Sequence, residues 1–158
     1  MKKAELIAQL FDAVRANQLA TDKMDDAAAR GMGVNRSDSR VLDIVERLGP
    51  VAAGRLSVDA GLTSGAVTAV IDRLVEKGYV RRVADPSDRR RVLIEKTEKL
   101  ERAAQRFYGP LAERSMPFLD KFSNAELEVI VRFLKFGTDL VERRVAELLE
   151  ERGKQGRS

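Results

Sequence analysis

The sequence contains no cysteine, no histidine and no tryptophan. Without cysteine the chain has no disulfide, no thiol redox sensor and no thiolate ligand for zinc or an iron–sulfur cluster. Without histidine it also lacks the commonest acid or base near neutral pH and the commonest metal ligand. We therefore expect no metal site, no cofactor and no enzymatic activity.

Long hydrophobic runs are missing as well. The first residues, MKKAELIAQLFDAV, begin basic, but Glu5 and Asp12 interrupt the apolar positions, which a secretion signal does not allow. No apolar run approaches the length of a membrane span, and the phosphate-binding pattern GxxxxGK[ST] does not occur. We expect a cytoplasmic protein with no membrane partner.

Positive charge is present and is concentrated in one segment. The whole chain carries 29 Lys and Arg against 25 Asp and Glu, a formal net charge of +4. Residues 81–91, RRVADPSDRRR, alone hold five arginines and two aspartates. Adjacent arginines repel one another, and this cost is offset when phosphates meet them. The alternative is that the arginines only keep a hairpin tip soluble.

Three helices are predicted before the strongest helical signal. Apolar spacing indicates a long helix from Lys2 to Arg30, which ends at the glycines that follow it. A second helix has Ser37 or Asp38 as its N-cap and ends at a Gly-Pro pair. A short helical piece covers residues 53–60, and a turn follows it.

The next segment carries the full apolar stripe of an amphipathic helix. Its N-cap is Thr63 or Ser64, and Gly78 ends it. The buried stripe consists of Val67, Val70, Ile71, Leu74 and Val75. The residues left facing outward are Thr63, Ser64, Gly65, Thr68, Ala69, Asp72 and Arg73.

The pattern then changes to extended and later returns to helix. The segments YVRRVA and RVLIEKT are rich in β-branched residues and flank the turn DPSD, so they predict a two-stranded hairpin. A helix is predicted from about Thr97, with one break at Gly109-Pro110 and another near Pro117. A last helix opens with the capping box of Ser123 and Glu126. The aromatic residues expected in the core are Phe107, Tyr108, Phe118 and Phe122.

This order of elements predicts a mainly α fold with a small β-hairpin, a winged helix-turn-helix with long terminal helices. A helix that enters the major groove reads base edges, and a basic loop reaches the backbone or the minor groove. Small residues at the start of the helix let phosphates approach its N–H groups. Double-stranded DNA is therefore the expected partner. The alternative is an adaptor whose wing binds an acidic protein.

The segment GLTSGAVTAVIDRLVEKGYVRRVADPSDRRRVLIEKT resembles the recognition helix and wing of the multiple-antibiotic-resistance regulator (MarR) family. The wing pattern of that family is D-P-x-D-R-R before a strand ending in Thr, and the residues matching it are Asp85, Pro86, Asp88, Arg89, Arg90 and Thr97. The resemblance implies that Arg90 enters the minor groove while Asp88 braces it. The DNA-binding residues expected are Thr63, Ser64, Gly65, Thr68, Arg73, Asp88, Arg89, Arg90 and Arg91.

The resemblance also implies a homodimer joined through its terminal helices. We expect a dimerisation helix over 1–35, a DNA-binding lobe over 36–97, further dimerisation helices over 98–152 and a disordered tail over 153–158. A two-fold axis suits a pseudo-palindromic operator. Many members hold a small aromatic or phenolic effector, so a repressor released by such a molecule is the function expected.

Overall fold

A computed structural model of the protein describes residues 2–155. The described chain contains six helices and a three-stranded sheet. In chain order the elements are α1 (Lys3–Met32), α2 (Arg36–Leu48), β1 (Val51–Ala52), α3 (Ala53–Ala60), α4 (Ser64–Glu76), β2 (Val80–Ala84), β3 (Val92–Lys96), α5 (Glu98–Leu119) and α6 (Asn124–Gln155). The predicted fold class, mainly α with a winged helix-turn-helix, is confirmed.

Local caps set the ends of the first helices. Gly33 takes a left-handed conformation (φ 67°) and ends α1, as its lack of a Cβ allows. The N-cap of α2 is Asn35, so the predicted caps Ser37 and Asp38 were wrong. Asp38 is instead the third helical residue of a capping box, in which the Asn35 side chain accepts its N–H at 2.9 Å.

The sheet has one strand more than the sequence predicted. The hairpin strands β2 and β3 pair antiparallel, with Arg82 opposite Ile94. On the other edge of β3, Val51 pairs with Ile94 and Ala52 with Leu93, which makes the order β1-β3-β2. Two residues after a Gly-Pro pair are too short to show an alternating pattern, so β1 could not be predicted from sequence.

The core lies among α2, α3, α4 and the sheet. Its fully buried residues include Leu56 of α3, Leu74 of α4 and Ile94 of β3. The stripe predicted for α4 is buried as expected at Val67, Val70, Ile71 and Leu74. The opposite face of α4 is thereby held toward solvent.

α5 runs without interruption from Glu98 to Leu119, so the predicted breaks at Gly109-Pro110 and near Pro117 were wrong. A proline inside a helix removes one hydrogen bond and costs about 3 kcal/mol, but tertiary packing and strong helix formers can override this cost. Here Pro110 and Pro117 are exposed, and Phe107 and Tyr108 pack on α1.

The chain divides into two compact units, with the boundary between Pro110 and Leu111. In the second unit, the capping box that begins α6 is confirmed, since the Ser123 N–H donates to Glu126 Oε2 at 2.8 Å. Phe118 meets Phe122 edge to face with ring centroids 5.2 Å apart, yet Phe118 is 60% exposed in the single chain and does not lie in a core.

α6 continues to Gln155, so the first three residues of the predicted disordered tail are helical, and 156–158 lie outside the described residues. Within residues 2–155, no helix has the length and apolar character needed to cross a membrane.

Candidate nucleic-acid interface

The amino-terminal half of α4 presents small polar residues on an open surface. Thr63, one of the two predicted caps, is the N-cap of α4, and its Oγ1 accepts the Ala66 N–H at 3.2 Å. Ser64, Gly65 and Thr68 are exposed. A Cβ built on Gly65 would meet nothing within 4 Å. The first turn of α4 can therefore be approached closely by a ligand that accepts N–H hydrogen bonds.

The Thr68 hydroxyl is already engaged within α4. It donates to the Ser64 carbonyl oxygen at 2.9 Å, four residues earlier. Its proton is thereby used, while its oxygen lone pairs and its methyl group remain exposed. Thr68 can accept a hydrogen bond from a base edge or contact a thymine methyl group.

The wing tip between β2 and β3 is folded by its two aspartates. Asp85 Oδ1 accepts the Ser87 hydroxyl at 2.6 Å and the Ser87 N–H at 2.8 Å. These two bonds, the hydroxyl bond first, hold the pKa of Asp85 below its usual value. The Asp85 N–H also donates to the Arg91 carbonyl oxygen at 3.0 Å, which closes the loop.

Asp88 organises the arginines that follow it. Its Oδ1 accepts the Arg90 N–H at 3.0 Å and lies 3.9 Å from Arg90 Nε, while Oδ2 lies 3.7 Å from Arg91 Nε. The Arg90 side chain is 97% exposed and that of Arg91 is 73% exposed. Arg89 is exposed too. Asp88 thus orients two guanidinium groups without covering them.

Arg73 differs from the other predicted site residues because its guanidinium forms a short ion pair with a buried carboxylate. Its Nη2 donates at 2.6 Å to Oδ1 of Asp38, which is 2% exposed, whereas the Arg73 side chain is 41% exposed. This hydrogen bond raises the pKa of Arg73. The pair joins α4 to α2, and sequence reasoning could not pair two residues so far apart.

A cavity of about 490 Å³ lies in the first unit, between α1, α2 and the start of α5. Its apolar lining includes Ala29, Met32, Leu42, Leu100 and Ala104. Its charged lining consists of Asp22, Asp25, Asp26, Asp43, Glu46, Arg36 and Arg40. Carboxylates outnumber guanidinium groups, and Arg40 Nη1 is turned to the Ala60 carbonyl oxygen at 3.0 Å.

Tyr108 closes one side of this cavity, although it was expected only in the core. Its hydroxyl donates to Asp25 Oδ1 at 2.8 Å. Burial first, and then Asp25 and Asp43, raise the pKa of Tyr108 to about 12. The acidic run DKMDD in α1 supplies three of the cavity's carboxylates and has no role in the core, so it is the sequence signal that could have indicated the cavity. Among the described residues, no cluster of acidic side chains is arranged to hold a metal ion.

Comparison with known proteins agrees with this architecture. The MarR family model matches residues 32–91. Over 122 aligned residues the chain is 37% identical to YcgE, an HTH-type transcriptional regulator of Bacillus subtilis. The alignment covers 77% of this chain and 79% of YcgE. The chain belongs to the MarR family. α3 and α4, with the hairpin of β2 and β3, are therefore the winged helix-turn-helix of a transcriptional regulator.

Solved MarR structures share the fold over nearly all of the chain. A MarR family protein from Bacillus stearothermophilus aligns with a TM-score of 0.63 at 22% identity, over 89% of this chain and 99% of that one. The transcriptional regulator BldR of Sulfolobus solfataricus aligns with a TM-score of 0.52 at 25% identity, over 85% and 99%. The MarR fold thus extends beyond the DNA-binding lobe into the terminal helices.

Proposed function

We propose that this MarR protein is a homodimeric cytoplasmic repressor that binds a pseudo-palindromic operator and leaves it when a small molecule binds. It acts by occupying a promoter and catalyses no reaction. The observation that carries the proposal is the exposed, small-residue face of α4 next to a wing whose arginines are ordered but uncovered.

The amino-terminal half of α4 is proposed to enter the major groove. Thr63, Ser64 and Gly65 bring the free N–H groups of the first turn to a phosphate, where the helix dipole adds to the attraction. Thr68 lies one turn further and contacts base edges. The open space in front of Gly65 supports this approach.

The wing is proposed to follow the neighbouring minor groove or backbone. Arg90 enters the groove, Arg89 and Arg91 face phosphates, and Asp88 sets their direction. The near-complete exposure of Arg90 supports this role, because the charged partner of its guanidinium among residues 2–155, Asp88, lies 3.9 Å away. A guanidinium in a narrow minor groove gains from the enhanced negative potential there.

Dimerisation is proposed through the helices that precede and follow the DNA-binding lobe in the chain, within 1–35 and 98–152. α1 carries a row of large apolar side chains that are 40–65% exposed in the single chain, namely Leu6, Ile7, Leu10, Phe11 and Val14. α6 carries another such set, which includes Ile130, Leu134 and Val145. Contiguous exposed apolar surface of this kind marks an association site.

A pair of matched variants tests the dimer. Phe11→Glu places a charge in the proposed interface, whereas Val58→Glu places it on α3, where Val58 is 76% exposed. We expect the first variant to sediment as a monomer and the second as a dimer. If Phe11→Glu and a chain lacking α6 both sediment as dimers, the interface is assigned wrongly.

The cavity beside Tyr108 is the proposed effector site, and its lining refines the class of molecule. The apolar residues suit an aromatic ring, while the excess of carboxylates repels a negatively charged substituent. A neutral phenol or a positively charged arylalkylamine therefore fits better than an aromatic carboxylate.

The effect of the substituent's charge is tested with phenol, benzylamine and benzoate, which share one ring and are neutral, positive and negative at neutral pH. Each is added to the protein bound to its operator, and DNA release is followed together with the melting temperature. We expect phenol or benzylamine to raise the melting temperature and release DNA, and benzoate to do neither. Release by benzoate alone would contradict the assignment.

The operator itself is identified by selecting duplexes from a random pool with the full-length protein. Recovery of an inverted repeat with half-sites about one helical turn apart supports the proposal. Recovery of no common sequence would contradict it.

A further inference from the structure

Two neighbouring residues in the last turns of α4 form ion pairs in different directions. Arg73 pairs with Asp38 of α2 at 2.6 Å. Asp72 accepts a hydrogen bond from Arg82 Nη2 of β2, also at 2.6 Å. We refer to these two pairs, Asp38–Arg73 and Asp72–Arg82, as the α4 brace. They connect α4 to α2 on one side and to β2, the strand that leads into the wing, on the other.

The contacts of Asp38 fix the geometry of the first pair. Its carboxylate is buried, and its two oxygens have separate partners: Oδ1 accepts from Arg73, and Oδ2 accepts the Asn35 N–H at 3.4 Å. Asp38 therefore holds the first turn of α2 and also binds the Arg73 side chain of α4. A charge buried in this way needs a partner with a defined geometry, because an unpaired one is costly.

Arg73 is constrained on its own side as well. Its Nε is buried and has no hydrogen-bond partner in the described structure, and Nη2 is committed to Asp38. To meet a phosphate with Nη2, Arg73 would have to leave a buried carboxylate, so only its Nη1 donors remain for such a contact. Its geometry thus favours holding α4 over contacting DNA.

The second pair lies at the surface, where an isolated ion pair stabilises a fold by only about 0–1 kcal/mol. Its importance is geometric. Asp72 is 60% exposed on the outward face of α4, and Arg82 lies on the strand that leads to the wing tip. The pair sets the distance between the helix in the major groove and the arginines of the wing.

We propose that Asp38 and Asp72 are positioning residues for operator recognition, and that Arg73 acts through Asp38 instead of binding phosphate. The inference rests on the proposed DNA-binding role of α4 and the wing. The brace holds both reading elements in the one arrangement that fits two grooves at once. Its loss lowers the preference for the operator over other DNA.

The test exploits the opposite effects of charge and geometry. Replacing an aspartate by asparagine makes the protein more positive, which by charge alone tightens binding to any DNA. Loss of positioning weakens binding to the operator only. We therefore compare Asp38→Asn and Asp72→Asn with Asp120→Asn, a change of the same charge at an exposed position just after α5.

Binding to the selected operator and to a shuffled duplex is measured by fluorescence anisotropy over a range of salt. We expect each brace variant to lose operator preference by about 2- to 30-fold, the range that coupled residues typically show. Shuffled DNA should be bound as well or better. Asp120→Asn should keep the preference of the wild type.

Arg73→Gln separates positioning from phosphate contact. We expect lower operator affinity with an unchanged salt dependence, and no further loss when Asp38→Asn is added. A decrease of the slope of log K against log salt by about 0.9 per half-site would place Arg73 on a phosphate and overturn the inference.

Equal changes for operator and shuffled DNA in both brace variants would also overturn it. Should Asp38→Asn fail to fold, the exposed Asp72→Asn decides the outcome. If the wild type shows no operator preference, the proposed function fails instead of the brace.

Discussion

Replacing Arg90 by alanine tests the wing most directly. Its side chain is 97% exposed, and its nearest charged partner, Asp88 Oδ1, lies 3.9 Å from Nε. Exposed substitutions of this kind usually change the free energy of unfolding by less than about 0.5 kcal/mol. Any larger effect on DNA binding then comes from the complex, not from the fold.

The expected loss in binding follows from what the guanidinium meets in a groove. Removing an arginine that contacts DNA typically costs about 1–3 kcal/mol, which corresponds to about 5- to 150-fold in affinity. Each lost phosphate contact also lowers the slope of log K against log salt by about 0.9. A guanidinium in the groove neutralises DNA charge much as a phosphate contact does, and the proposed dimer carries two wings, so we expect the slope to fall by roughly 2.

The assay is a salt titration of operator binding by wild type, Arg90→Ala and a matched control. Arg102→Ala serves as the control, because Arg102 is 71% exposed on α5 and pairs with Glu98, as Arg90 pairs with Asp88. It removes the same charge and should leave the slope unchanged. Identical affinities and slopes for wild type and Arg90→Ala would remove the wing from the interface. The adaptor function, with an acidic protein as partner, would then be favoured.

Three further changes probe the helix, the cavity and the packing of α1. Thr68→Val keeps the shape but removes the exposed oxygen, so it should alter the selected sequence more than the overall affinity; unchanged sequence preference would place Thr68 outside the groove. The pKa of Tyr108 is raised from 10.0 to about 12 in the fold, so the folded protein loses stability as pH rises through that interval, and Tyr108→Phe should make denaturant melts between pH 9 and pH 12 less dependent on pH. An equal dependence in both proteins would contradict the burial of this hydroxyl. A Cβ at Gly31 would lie 2.5 Å from Phe107 Cζ, so Gly31→Ala should destabilise by about 1–3 kcal/mol. Gly54→Ala, a helical position with nothing within 4 Å, should be neutral or stabilise by up to about 1 kcal/mol, and equal melting temperatures for the two variants would contradict the close contact.

The elements closest to the proposed DNA were predictable because their signals are local. The apolar stripe of α4 depends only on helical spacing, and its N-cap Thr63 lies next to the residues it caps. The turn DPSD likewise contains its own hydrogen-bonding groups. Such signals involve residues within a few positions of each other, so a single sequence reveals them.

The errors arose where distant residues decide the structure. α5 passes through Pro110 although proline disfavours helix interiors, while its neighbours Phe107 and Tyr108 pack against α1. β1 exists because Val51 finds Ile94 across the sheet. The ion pair between Arg73 and the buried Asp38 was missed for the same reason. In each case the deciding partner is more than thirty residues away, and periodicity carries no information about it.

The arginines of the DNA-binding lobe differ in how far the protein already neutralises them. Arg73, Arg81 and Arg82 each have a carboxylate within 2.6–2.8 Å. At the wing tip, Arg90 and Arg91 share Asp88 at 3.7–3.9 Å. The charges of Arg73, Arg81 and Arg82 are therefore compensated by close carboxylates, whereas the charges of the tip arginines are compensated less. A polyanion is attracted mainly to the tip, so the salt dependence of binding should follow the tip arginines, whereas substitutions in the helix and strands should change operator preference.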